Sequence, residues 1–273
     1  MVTEKYYHTG DIAINVSEWP SPYVGSPDML LIHGYGVSSL TWSTTAPLLS
    51  KYYHLFSLDL RGMGLSGRIT KQHNRYMWAD DVSNIVNKIF VKSGYLVGHS
   101  LGGWVSAAVA SINPNKVSAI VMGDPFTGSK SNIRKKSKPE INSEISSLKS
   151  IETLSDALGY TKIKYPTLDT DILQRLARMT YDFDPRLLSW STDQSSKNCN
   201  YETMFTKIKC PVLLIQANPD KGGIISDEET ERVTSLIGKG EKVKWENSGH
   251  SLHVARNHDF AKIVHKFLLR FQI

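Results

Sequence analysis

The sequence predicts an α/β fold, with a mostly parallel central sheet flanked by helices and a helical insertion between two late strands. Three observations point there. Short aliphatic and β-branched runs alternate with longer amphipathic stretches along the chain. Runs such as 29–32 (MLLI) and 212–215 (VLLI) are apolar at every position, as in strands buried on both faces of a parallel sheet. The alternation stops between Pro125 and Cys210, where Ser, Lys and helical periodicity replace strand-like runs.

Taken in order, the strand-like runs are 12–16, 29–32, 54–58, 95–97, 119–122, 212–216 and 243–245. The stretch 101–111, rich in Ala, Val and Ser, reads as a small-residue helix able to pack closely on a sheet, and Asn113-Pro114 ends it. Within the insertion, Ile145, Leu148, Ile151 and Leu154 fall on one helical face, and Ile172, Leu176 and Met179 on another. The stretch 259–271 sets Phe260, Ile263, Val264, Phe267, Leu268 and Phe271 at helical spacing, so its apolar face should lie on the sheet. The expected organisation is a core in two parts, 1–124 and 211–273, with 125–210 as a helical cap.

At 273 residues, 40% hydrophobic and 21% charged, the chain can bury a sizeable core. Its apolar runs fall far short of the roughly 18 residues that span a bilayer, which excludes an integral membrane protein. The first residues, MVTEKYYHTG, mix charge and polarity where a signal peptide needs a continuous apolar segment, so a cytoplasmic location is expected. Cys199 and Cys210 lack C-x-x-C spacing, which argues against a disulfide scaffold or a zinc site. Part of the net charge of +6 is local: Lys130, Arg134, Lys135, Lys136 and Lys138 crowd one stretch. No aromatic residue is interleaved there for base stacking, so this reads as a solvated face, and no nucleic-acid partner is expected.

The chemistry concentrates at Gly98-His99-Ser100-Leu101-Gly102-Gly103, a G-x-S-x-G turn between a strand-like run and a helical stretch. A serine at the tip of so sharp a turn needs neighbours without Cβ atoms, and the helix opening at Leu101 aims backbone N–H groups at the same spot. A second donor for a developing oxyanion is the amide of Tyr35, because the apolar run 29–32 ends in His33-Gly34. The expected pair is therefore Tyr35 and Leu101. His33 itself reads as a structural hydrogen-bonding residue.

A serine hydroxyl needs a general base. His250, in Asn247-Ser248-Gly249-His250, follows a strand and precedes the last helix, so it should reach the carboxyl edge of the sheet. His253 is the competitor, and His99, adjacent to the serine, should point away from it. Two acids follow strands in the required chain order, Asp220 and Asp124; Asp220 is preferred and Asp124 is the alternative, with Asp227 or Glu228 behind them.

These motifs, with Asp59-Leu60-Arg61-Gly62-Met63-Gly64-Leu65-Ser66, resemble the α/β-hydrolase superfamily, in its serine-nucleophile branch with a helical cap. The resemblance runs from about Gly10 to the C-terminus and is weakest across 125–210. It implies that Asp59, Arg61 and Ser66 are scaffold, that Ser100 stands at the nucleophile elbow, and that the cap forms much of the substrate pocket. The segment before Asp220 departs from the family pattern, with Ala217 where Gly is usual and Gly222-Gly223 where a Pro follows, which keeps Asp124 in play. A serine nucleophile suits cleavage of small to medium carboxylic esters without metal or organic cofactor. The alternatives are carbon–carbon bond hydrolysis of vinylogous diketone acids, or ligand reception without turnover on the same scaffold.

Overall fold

The computed structural model describes residues 2–21, 23–69, 73–128, 136–190 and 200–271. Eight strands form one sheet: β1 (Thr3–His8), β2 (Ala13–Trp19), β3 (Asp28–Ile32), β4 (His54–Leu58), β5 (Gly94–His99), β6 (Val117–Gly123), β7 (Val212–Ala217) and β8 (Gly240–Trp245). Their order is β1-β2-β4-β3-β5-β6-β7-β8. The pairs β1–β2 and β2–β4 are antiparallel and all the others are parallel, so the carboxyl ends of β3, β5, β6, β7 and β8 share one edge.

The helices among the described residues are α1 (Ala46–Leu49), α2 (Tyr76–Ile89), α3 (Leu101–Ile112), α4 (Lys138–Lys149), α5 (Leu154–Lys164), α6 (Thr170–Tyr181), α7 (Leu187–Trp190), α8 (Tyr201–Thr206), α9 (Asp227–Leu236), α10 (Leu252–Ala255) and α11 (Asn257–Leu268). None is long and apolar enough to cross a membrane.

Strand alternation divides the core. On β3, Leu30 and Ile32 face a layer that includes Val82 and Ile85 of α2 and Val105 and Val109 of α3. Met29 and Leu31 face Trp42, Leu49 of α1, and Phe260, Val264 and Leu268 of α11. The periodicity at 259–271 thus marks a real buried face, with the α-helix ending at Leu268 and a 3₁₀ turn running from Leu269 to Phe271.

Local readings fail where burial and pattern part company. Strand β1, outside the strand-like runs, has nearly all its residues exposed and so carries no apolar alternation. Strand β8 starts at Gly240, before the expected 243, through the exposed Glu241 and Lys242. The single face drawn through Ile145, Leu148, Ile151 and Leu154 is two helices. Here α4 stops at Lys149, and Thr153 caps α5 by accepting from the Asp156 amide while the Asp156 carboxylate takes the Thr153 amide at 2.8 Å. In α6 the inward residues are Leu173, Ala177 and Met179, and Ile172 is exposed.

Helices α4 to α8 lie between β6 and β7 in the chain, with α5 packed on α6. They are tied back to the loop after β4: the Asp184 amide donates to the Gly62 carbonyl at 2.8 Å and the Asp184 carboxylate accepts from the Ile69 amide at 2.9 Å. That loop is itself cross-braced. Asp59 accepts from the Ser39 and Leu65 amides at 2.7 and 2.9 Å, Ser66 Oγ donates to the Asp59 carbonyl, and Arg61 binds Asp81 and Asp11. Cys210 is buried, and burial pushes its thiol up to about 11; Cys199 lies outside the described residues. So do Lys130, Arg134 and Lys135, whereas Lys136 pairs with Glu144 and Lys138 is exposed at the start of α4.

Candidate active site

Ser100 joins β5 to α3 with φ +54° and ψ −116°, a left-handed backbone that costs a non-glycine residue of the order of 1–3 kcal/mol. The packing holds it there. A Cβ on Gly98 would sit 2.1 Å from the Gly102 carbonyl oxygen, and one on Gly102 would sit 2.1 Å from that of Ile32, so strand and helix meet only because both residues are glycine. The Ser100 amide donates to the Gly123 carbonyl at 2.9 Å, and its own carbonyl accepts from the amides of Gly103 and Phe126, both at 3.0 Å.

Asp124 follows β6 and is the other non-glycine residue with positive φ among those described, at +40°. Its side chain is fully buried, and its amide donates to the Ile215 carbonyl at 2.7 Å. Oδ1 accepts from the Ala217 amide at 3.2 Å; Oδ2 accepts from the Ile224 amide at 2.9 Å and from Nδ1 of His250 at 2.6 Å. A carboxylate acceptor requires the proton on Nδ1 of the neutral imidazole, which leaves a lone pair on Nε2. That is the tautomer a general base needs.

Between the two acids weighed from sequence, the structure brings Asp124 to His250. Asp220, the preferred one, is exposed in a 3₁₀ turn (Pro219–Lys221), where its amide donates to Asn218 Oδ1 at 2.9 Å. Asp227 accepts from Gln216 and Lys244 at the start of α9, and Glu228 is exposed beside it.

The Gly34 turn lies against the elbow: a Cβ on residue 34 would come within 3.3 Å of Ser100 Cβ. Tyr35, next in the chain, packs its ring edge-on against Trp78 and Phe183 at centroid distances of 6.2 and 5.7 Å. Leu101 opens α3, so its amide has no carbonyl within the helix to bond. His33 is buried and doubly engaged, its Nε2 accepting from the Leu60 amide at 2.9 Å and its Nδ1 donating to the Gly34 carbonyl at 2.7 Å. Burial lowers its pKa, which suits a neutral bracing ring.

His99 does not simply point away. Its Nε2 donates to the backbone carbonyl of His250 at 2.8 Å, and its ring lies 4.5 Å from those of both His250 and His253. Alternation along β5 does send it to the face opposite Ser100; what the sequence does not reveal is that the chain around residue 250 crosses that face. Burial, then the neighbouring histidines, drive the His99 pKa well down. His253 lies on α10 under Trp42, at 4.0 Å between ring centroids, and burial pushes its pKa down to about 3. It is packing rather than a rival base. Among the described residues, no group of three or more His, Cys, Asp or Glu is placed to hold a metal.

Comparison with known proteins agrees with this architecture. The family model described as alpha/beta hydrolase fold matches residues 27–163, half of the chain. Pimeloyl-(acyl-carrier protein) methyl ester esterase of Aliivibrio fischeri is 30% identical over 106 residues; the match covers 38% of each protein, so the chain spans about two fifths of that relative's length. 2-(Acetamidomethylene)succinate hydrolase of Mesorhizobium japonicum is 24% identical over 221 residues, 78% of this chain and 76% of that one. Among solved structures, the N-formylmaleamic acid deformylase of Pseudomonas putida S16 superposes with a TM-score of 0.79 at 18% identity, covering 96% of this chain and 100% of the other. An eight-stranded, mostly parallel sheet, a serine held at positive φ between strand and helix, and a family match over residues 27–163 lead to one assignment: this chain belongs to the α/β hydrolase fold family.

Proposed function

We propose that the protein is a serine hydrolase that cleaves small to medium carboxylic esters through an acyl-enzyme, with Ser100 as nucleophile, His250 as general base and Asp124 as the orienting acid. The observation that carries this reading is the 2.6 Å hydrogen bond from His250 Nδ1 to a fully buried Asp124, at the same sheet edge as Ser100. Likeness to an ester-cleaving relative supports it further.

In the first half-reaction Ser100 Oγ bonds to the ester carbonyl carbon while Nε2 of His250 takes its proton. The oxyanion faces the amides of Tyr35 and Leu101, and the N-terminus of α3 adds its dipole. The intermediate collapses as the C–O bond to the alcohol breaks and His250 returns the proton to the departing oxygen. Water then repeats the sequence on the acyl-enzyme, its proton passing through His250 to Ser100 Oγ as the acid leaves. Asp124 keeps its charge throughout and stabilises the imidazolium. Residues 125–210 act as the cap that encloses the substrate and limits water.

Release of nitrophenol from a series of acyl nitrophenyl esters tests this. Turnover is expected from the wild-type protein, falling by a factor of about 10⁴ or more in Ser100→Ala. Ester turnover that survives Ser100→Ala would overturn the assignment. Cleavage of a dienoic keto acid with no ester turnover would replace esters by carbon–carbon substrates. Ligand binding with no turnover of either would replace catalysis by reception.

A further inference from the structure

The hydrolase reading gives His250 two duties, to hold a proton on Nδ1 and to aim Nε2 at Ser100. The bond to Asp124 secures only the first. An imidazole tethered at Nδ1 alone can swing about that hydrogen bond, so its aim depends on where the backbone of residue 250 is held. Ser248 and Leu252 are buried and anchor the two ends of this turn, but between them Gly249 and His250 are half-buried and Ser251 is exposed. Two donors reach the His250 carbonyl, the Leu252 amide two residues on at 2.9 Å and the imidazole of His99 at 2.8 Å. Of these, only His99 comes from outside the local turn.

We propose that His99 is the positioning residue of the site, a strut between the turn at Gly34 and the backbone of His250 that fixes the aim of the general base. Because a carbonyl can only accept, the proton of His99 resides on Nε2 and the lone pair on Nδ1. That Nδ1 is buried, has no hydrogen-bond partner among the described residues, and would lie 3.2 Å from a Cβ on residue 34. One edge of the ring therefore abuts the turn that leads to the Tyr35 amide, and the other holds the base. His99 is the last residue of β5, the strand that also delivers Ser100, so nucleophile, base and oxyanion turn are referenced to one rigid element. An apolar side chain of similar size would fill this site without leaving a buried nitrogen unpaired among the described residues. The imidazole differs from such a side chain in its Nε2 bond to the His250 carbonyl, which serves geometry. The ring also packs against those of His250 and His253, each at 4.5 Å between centroids, which limits its tilt.

This proposal rests on the hydrolase reading, and its test separates the two. His99→Gln keeps an amide N–H at the position of Nε2, whereas His99→Leu and His99→Asn cannot reach the His250 carbonyl. In Leu and Asn variants kcat for a nitrophenyl ester should fall by a factor of about 10–100 with KM changed less than about twofold, because misplacement by about 1 Å acts on the chemical step. The Gln variant should recover to within about fivefold of wild type. Proton NMR gives a readout that needs no turnover: the downfield His250 Nδ1–H signal should persist in Gln and shift or broaden in Leu and Asn. If all three variants match wild type, or if Gln is as impaired as Leu with equal thermal stability, the strut is refuted. A wild-type protein without turnover would defeat the hydrolase reading alone, and the NMR comparison would still decide the role of His99.

Discussion

His253 offers a quantitative test of how the histidine cluster is housed. Its side chain is 1% exposed, neither ring nitrogen has a hydrogen-bond partner among the described residues, and it packs against Trp42 at 4.0 Å, His99 at 4.5 Å and Phe260 at 6.0 Å between ring centroids. Burial, then the charges of His250 and His33, push its pKa down to about 3. In the unfolded chain the same ring titrates near 6.5. Below that pH the unfolded state binds a proton that the native state refuses, so stability falls as pH drops from about 6.5 toward 3. At about 1.4 kcal/mol per pH unit, lowering the pH from 7 to 4.5 should cost about 2–3 kcal/mol through this one residue. His253→Phe keeps an aromatic ring between Trp42 and Phe260 and removes the titration. Urea unfolding of both proteins at the two pH values gives a double difference in which any packing change cancels. The variant should gain about 2–3 kcal/mol on wild type between pH 7 and 4.5. A double difference below about 0.5 kcal/mol would mean that the native ring accepts a proton, and the picture of a dry, neutral cluster would be wrong.

The acid is decided by paired variants. Asp124→Asn should lower kcat by a factor of about 10⁴, while Asp220→Asn, at an exposed turn, should stay within about twofold; equal effects would remove Asp124 from its role. Gly102→Ala places a methyl group 2.1 Å from the Ile32 carbonyl oxygen, so loss of soluble protein or destabilisation beyond about 4 kcal/mol is expected in urea unfolding, and a neutral result would contradict the close strand–helix contact. Asp81→Ala leaves the buried Arg61 guanidinium, among the described residues, with the Asp11 carboxylate at 3.1 Å as its remaining ion-pair partner, and should cost about 3 kcal/mol, measured by the same unfolding; a cost below about 1 kcal/mol would argue against a buried pair.

The parts of this molecule legible in its sequence are those where one local force decides. Fully buried parallel strands such as β3 and β7 leave unbroken apolar runs, and the elbow needs glycine where Cβ atoms would collide with backbone. The acid was not legible because both candidates follow neighbouring strands and both carry Asp next to Pro. What separates them is tertiary: β6 turns Asp124 inward with φ +40° onto the amides of Ala217 and Ile224, whereas the 3₁₀ turn after β7 leaves Asp220 in solvent. The role of His99 was hidden for a related reason, since its partner lies 151 residues away. The β1 edge strand, with its exposed residues, gave no periodic signal at all.

The most direct test of the central claim is to treat the protein with a fluorophosphonate and locate the adduct by peptide mass. A single adduct on Ser100 is expected, forming more slowly by a factor of about 10³ or more in His250→Ala. A folded protein that takes up no label, or takes it up on any residue other than Ser100, would contradict the assignment of Ser100 as the activated nucleophile.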